Sequence, residues 1–171
     1  MGLIGVHGLI HVGLLLQVWY LGDRVVTGLD ETWMLWAVRV ARRSPVAPFG
    51  AVIVDSHRND VVSEGFNETD MSPLWHGEIV AIRNLPGADI ADSKRLTLYT
   101  TAEPCVMCQA AIQWSGIGRV VYGVSVPELV DLGWKQFTMR AADIAAAWPH
   151  HVCRIEGPVL TDECRELFSR G

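Results

Sequence analysis

The sequence predicts an α/β fold: a sheet with parallel neighbours and helices on both faces. Three observations carry that prediction. Apolar, β-branched runs of strand length recur at 48–55, 61–66, 97–101 and 119–124. Helix-period segments separate the later runs. No repeat, low-complexity tract or linker divides the 171 residues, so one core is expected.

Regular patterning begins at Asp30. Trp33, Trp36, Ala37 and Val40 are spaced as the buried face of a helix that ends near Arg43, where Ser44-Pro45 stops it. PFGAVIVD (48–55), the polar turn HRND and VVSEGF (61–66) read as a hairpin. The stretch WHGE opens a helix running to about Leu85, with Pro86-Gly87 as its stop. TLYTT (97–101) is a third strand. EPC then begins a helix with Pro104 near its first turn, where a missing N–H costs nothing, and that helix ends around Gly116. RVVYGV (119–124) is a fourth strand. An alanine-rich surface helix near 140–147, a short strand HVCRIE (151–156) and a helix from Asp162 to Ser169 complete the chain. Two strand–helix–strand units after a hairpin imply parallel neighbours in the sheet.

Residues 1–29 form an apolar N-terminal extension, and 30–171 the functional domain. The segment 3–21 is nearly long enough to cross a bilayer, but His7, His11, Gln17 and several glycines interrupt it. No basic residue precedes it, so it lacks the flank of a signal peptide or a positive-inside anchor, and Val6 breaks the myristoylation pattern. An ordered or loosely attached extension is the favoured reading, ahead of a start assigned too far upstream and of a membrane anchor. The net charge of −5 argues against a polynucleotide partner, which needs clustered Lys and Arg, and favours small neutral substrates. Four cysteines, with one tight C-x-x-C pair, fit a cytoplasmic protein whose thiols serve metal or redox chemistry.

The chemistry-bearing residues fall in two fragments, HGE at 76–78 and EPCVMC at 103–108. A catalytic zinc takes three protein ligands and leaves a fourth position for water; His76, Cys105 and Cys108 supply that count. Cys105 and Cys108, three apart at a helix start, face one way, where free N–H groups favour thiolate. Glu78 would sit beside the open position, able to take a proton from the bound water. Each fragment also has a plainer reading. His-x-Glu is often two solvated residues of a helix's first turn, and C-x-x-C a dithiol redox pair, with Met107 filling core space. A structural zinc knuckle needs a fourth ligand. Cys153 and Cys164 are expected in the core, and His150 and His151 on an exposed loop.

Together HGE and PCVMC match the H-x-E…P-C-x-x-C signature of zinc nucleobase deaminases. The sequence resembles the cytidine deaminase-like superfamily, and within it the branch of guanine deaminases and tRNA adenosine deaminases. The likeness runs through PFGAVIV, EGFN, HGEIVAIRN, LYTTAEPCVMC and IGRVVYG, over roughly residues 30–170. It implies a three-layer α/β/α sandwich on a five-stranded mixed sheet, commonly a homodimer, with one zinc ion per chain. Carried over, His76, Cys105 and Cys108 are zinc ligands, Glu78 is the proton shuttle of hydrolytic deamination, and Asn67 bonds the base. A turn-forming Asn ending a strand is the plainer role for Asn67.

On the substrate, Phe49 in PFG and Trp114 in AIQWSG look like the guanine deaminase pattern, with a buried Trp stacking on the base. The chain ends at LFSRG, without the basic tail common in tRNA adenosine deaminases. Other positions depart from guanine deaminases. LGWKQF (132–137) has Lys135 or Gln136 where they carry an acid, Gly77 replaces a usual Ala, and Trp75 a usual small residue. The expected activity is therefore guanine deaminase-like, on an aminated purine base or a related nucleoside, pterin or triazine, with Asn67, Gly77, Trp114, Phe49 and Trp75 around the substrate. A tRNA adenosine deaminase and a non-catalytic binding subunit are the alternatives; intact Glu78 counts against the second.

Overall fold

In this computed structural model the structure describes residues 19–21, 24–26, 28–87 and 91–169. Residues 1–18, most of the expected N-terminal extension, lie outside them. The described part of that extension pairs β1 (Trp19–Leu21) with β2 (Arg24–Val26) as a separate antiparallel ribbon.

The main sheet has five strands in the order β4-β3-β5-β6-β7. Its hairpin is β3 (Gly50–Asp55) with β4 (Asp60–Phe66), and β5 (Leu96–Ala102) pairs antiparallel with β3. β6 (Arg119–Val124) and β7 (Arg154–Glu156) then add parallel to β5. Because β3 runs opposite to both its neighbours, β4 and β5 are themselves parallel. The connections from β4 to β5, β5 to β6 and β6 to β7 are therefore crossovers, and each needs a helix. The mixed sheet expected from the resemblance is present.

Six helices among the described residues cover the sheet. They are α1 (Leu29–Ala41), α2 (Gly77–Arg83), α3 (Val106–Ser115), α4 (Val126–Asp131), α5 (Ala141–Ala146) and α6 (Thr161–Phe168). Period-2 alternation sorts the core. Val52, Val54, Tyr99 and Val121 pack with Met34, Ala37 and Val38 of α1 and Phe168 of α6. Ala51, Ile53, Leu98 and Val120 pack on the other face with Ala81 of α2 and Ile112 of α3. β3 and β5 are buried along their whole length, which is why they read as unbroken apolar runs.

Two glycines set how closely helices approach the sheet. A Cβ on Gly50 would lie 2.5 Å from the Ala37 carbonyl oxygen of α1, and one on Gly65 would lie 2.3 Å from the Ala81 nitrogen of α2. Only a residue without Cβ admits both backbones. Gly65 thus fixes α2 against the end of β4, and with it the start of α2 that carries His76.

Several boundaries differ from expectation. α1 ends at Ala41 and α2 at Arg83, each two residues early, as helix ends commonly fray into turns. Pro104 stands outside α3, ahead of the N-cap Cys105, so it shapes the approach to the helix and not its first turn. β7 is confined to Arg154–Glu156, because the sheet offers it only the start of β6 to pair with. α4, a single amphipathic turn and a half, was not expected: six residues are too few for periodicity to stand out.

Candidate metal centre and active site

The crossovers explain why the two chemistry-bearing fragments meet. α2 follows β4 and α3 follows β5, and those strands are parallel, so both helix starts stand at the same edge of the sheet. His76 is the N-cap of α2 and Cys105 the N-cap of α3; neither uses its side chain to cap its own helix. Those side chains are left free to point at each other.

His76 Nδ1 lies 3.7 Å from Cys105 Sγ and 3.6 Å from Cys108 Sγ, and the three ligand atoms all lie within 4.8 Å of one another. Zinc–sulfur and zinc–nitrogen bonds of about 2.3 and 2.05 Å at the tetrahedral angle put sulfur and nitrogen about 3.6 Å apart. The donor set and its spacing therefore fit zinc, for which these residues would supply three protein ligands. No other group of three such residues meets this geometry among the described residues. The redox-dithiol reading loses ground, since the C-x-x-C pair converges on a histidine.

The electrostatics of the cluster agree. Without metal, Cys105 is drawn down to about 4, first by the hydrogen bond from Cys108, then, against burial, by His76. Cys108 is pushed well up by its bond to Cys105 and by burial, so the pair shares one proton. His76 is raised by its bond to Cys105. One thiolate is thus ready-made, and a bound cation would displace the other proton.

Glu78, in the first turn of α2, is only 5% exposed and carries a carboxyl raised above its ordinary range, chiefly by burial and then by the neighbouring Cys105. The Thr100 hydroxyl donates to its Oε1 at 3.0 Å. Its position against Cys108 and His76 makes it a carboxyl able to hold or release a proton beside the metal site.

The other expected site residues divide. Phe49, Asn67 and Gly77 meet: the Asn67 N–H donates to the Phe49 carbonyl at 2.9 Å, and a Cβ on Gly77 would lie 3.0 Å from that same oxygen. The Phe49 ring packs between Trp134 (5.1 Å, edge-on) and Phe168 (4.8 Å). Asn67 is 9% exposed, and its Oδ1 accepts the Thr69 N–H at 3.0 Å, so it does form the turn expected of an Asn at a strand end. Trp75 packs under the Arg83 guanidinium, 4.3 Å from its ring, while Arg83 pairs with Glu68.

Trp114 is a correction. It was expected as a buried stacking wall, but it is 75% exposed, and its ring lies on Trp148 at 4.5 Å. Six residues beyond Cys108, it stands about 9 Å further along α3 and turned well away from the thiol's face. His151 also departs from expectation: its Nε2 lies 2.9 Å from the Ile117 carbonyl, in place of free solvent exposure. Cys153 and Cys164 are buried, as expected.

Sequence reasoning missed Thr100, Glu103 and Arg140. Glu103 stood in plain view in EPCVMC; nothing local marked its partners, which lie 23 to 38 residues onward.

With this geometry in hand, the comparisons are specific. Residues 27–124 match the family model described as the cytidine and deoxycytidylate deaminase zinc-binding region. A probable cytosine deaminase of Schizosaccharomyces pombe is 34% identical, over 78% of this chain and 86% of that one. A tRNA-specific adenosine deaminase of Haemophilus influenzae is also 34% identical, over 85% of this chain and 84% of that one. Among solved structures, a guanine deaminase from Nitrosomonas europaea superposes with a TM-score of 0.69 at 21% identity, over 94% of each chain. The last likeness concerns the fold.

Proposed function

The chain belongs to the cytidine and deoxycytidylate deaminase zinc-binding family, and from that premise we propose that it hydrolytically deaminates an aminated purine base or a related nucleoside or heterocycle. The observation that carries the reading is the His76–Cys105–Cys108 cluster with the buried, protonatable Glu78 against it. Zinc held there, one ion per chain, supplies an acidified water as nucleophile. Glu78 would accept a proton from the attacking water and pass it to the ring nitrogen as the amino-bearing carbon becomes tetrahedral, then take the proton of the newly added hydroxyl and deliver it to the amino group, which leaves as ammonia while the carbonyl forms. Thr100 orients Glu78 for both transfers. Asn67 and the Phe49 carbonyl segment, joined through the backbone next to Gly77, hold the heterocycle, and Trp75 shapes the approach from outside.

A small-molecule substrate is supported by the net charge of −5. The tRNA reading is supported by the 34% identity to the Haemophilus influenzae enzyme. Ammonia release should be measured across guanine, other aminopurines, pterins, triazines, cytosine, their nucleosides and a tRNA anticodon stem-loop. Turnover of a free heterocycle is expected. Turnover of the stem-loop alone moves the assignment to tRNA, and zinc-loaded protein inert on every arm makes the chain a binding subunit.

A homodimer in the cytoplasm belongs to the same proposal. All four cysteines are free, as a reducing compartment keeps them. α3 presents half-exposed Met107, Ala110 and Ala111 in line with the exposed Trp114, a face suited to a second copy. Trp114→Glu should then shift sedimentation from dimer to monomer. No helix of the described residues is long and apolar enough to cross a membrane.

A further inference from the structure

Glu103 follows the end of β5 and stands two residues before the ligand Cys105, yet the chemistry just described does not use it. Its side chain is 1% exposed and is saturated with donors. Oε2 accepts the Val126 N–H at 2.9 Å, and Oε1 accepts the Ala141 N–H at 2.9 Å. Arg140 Nε bridges both oxygens, at 2.9 and 2.8 Å, and its Nη2 reaches the Tyr122 hydroxyl at 3.3 Å. Val126 and Ala141 are the first residues of α4 and α5. One carboxylate therefore caps the starts of two helices, and so pins both ends of the segment 126–141 beside the metal-ligand turn.

That segment bears Trp134. Its indole N–H donates to the Phe168 carbonyl at 3.0 Å, and its ring stands edge-on to Phe49 at 5.1 Å. Phe49 in turn lies against the starts of α2 and of the Asn67 turn through its carbonyl. A physical chain runs from the turn that holds Cys105, through Glu103 and Trp134, to the wall of the proposed pocket.

We infer that Glu103 is a positioning residue for the substrate: with Arg140 it hangs the 126–141 segment from the metal-ligand turn and so keeps Trp134 on Phe49. This rests on the deaminase reading only for its kinetic consequence. Glutamine is nearly isosteric but offers one acceptor oxygen, and its NH2 group would face donors that need an acceptor.

The test uses zinc-loaded Glu103→Gln and Arg140→Met, with two readouts. In hydrogen exchange, the Trp134 indole N–H and the Val126 and Ala141 amides should lose at least tenfold protection in Glu103→Gln, while the β5 amides and zinc content hold. In steady state, on an amine that the wild-type protein turns over, KM should rise at least fivefold with kcat within about threefold; Arg140→Met should show the same pattern, weaker. Unchanged Trp134 protection overturns the inference. So does a uniform loss that includes β5, or a fall in kcat at constant KM. A wild-type protein inert on every amine defeats the deaminase reading alone, and the exchange readout still decides the role of Glu103.

Discussion

Two buried carboxylates, 25 positions apart, flank the same metal cluster and are treated in opposite ways. Glu78, at the mouth of α2, receives the single hydroxyl of Thr100 and is held in a setting that raises its carboxyl above the ordinary range, burial first among the causes. Glu103, at the end of β5, has a charged partner and two backbone N–H donors. A carboxylate with few donors and little water trades protons easily. One saturated with donors holds its partners in place. The difference separates a candidate acid–base group from an architectural one around a single cluster, and it arises from the donors that each position meets.

Changing Glu78 to Gln should have the largest effect. Turnover is expected to fall by about 10²–10⁴-fold, the usual worth of a positioned acid–base group, with zinc content by metal analysis unchanged. Near-normal kcat in that variant would erase the contrast. Cys105→Ala comes next: the cluster drops to two protein ligands, so zinc stoichiometry should fall well below one per chain and the thermal midpoint with it.

On the architectural side, Glu103→Ala leaves the Val126 and Ala141 N–H groups without their acceptor and takes the carboxylate from the part-exposed Arg140. The loss should be about 2–3 kcal/mol in urea unfolding, while the site's metal is retained. A smaller change sharpens the other side: Thr100→Val removes the hydroxyl that donates to Glu78 Oε1, and kcat should drop about fivefold, the equivalent of about 1 kcal/mol, with stability nearly unaltered.

Asp55 extends the saturated class to a place far from the chemistry. Burial pushes its carboxyl up, but the Arg95 side chain and the Arg58 and His57 N–H groups outweigh that and bring it down to about 2. A depressed folded-state value means stability that is present above the unfolded value near 3.8 and lost as pH falls toward 2. The gap in thermal midpoint between wild type and Asp55→Asn should be constant at neutral pH and close between about pH 4 and pH 2. A gap that persists at pH 2 would show that Asp55 acts by shape alone.

The strands were largely legible. β3, β5 and β6 are buried enough to read as continuous β-branched runs, and RVVYGV matches β6 residue for residue. The convergence of His76, Cys105 and Cys108 was legible because two short motifs contributed complementary donors with none left over. Trp114 was misread because aromatic character tells size and stacking capacity but not direction, which the turn of α3 decides. Glu103 was overlooked because its partners come from residues 126, 140 and 141, and no local pattern links them to it.

The sequence by itself determined the alternation of strands and helices, the candidate donor set His76, Cys105 and Cys108, and the presence of an acid at Glu78, since periodicity and donor chemistry are properties of residue type and spacing. Tertiary structure alone decided that α2 and α3 start at one sheet edge, that Glu78 has no charged donor while Glu103 is bridged by Arg140, and that Trp114 faces outward. Those outcomes depend on strand order and on close approaches such as that of Gly65 to α2, which bring together residues the chain holds far apart.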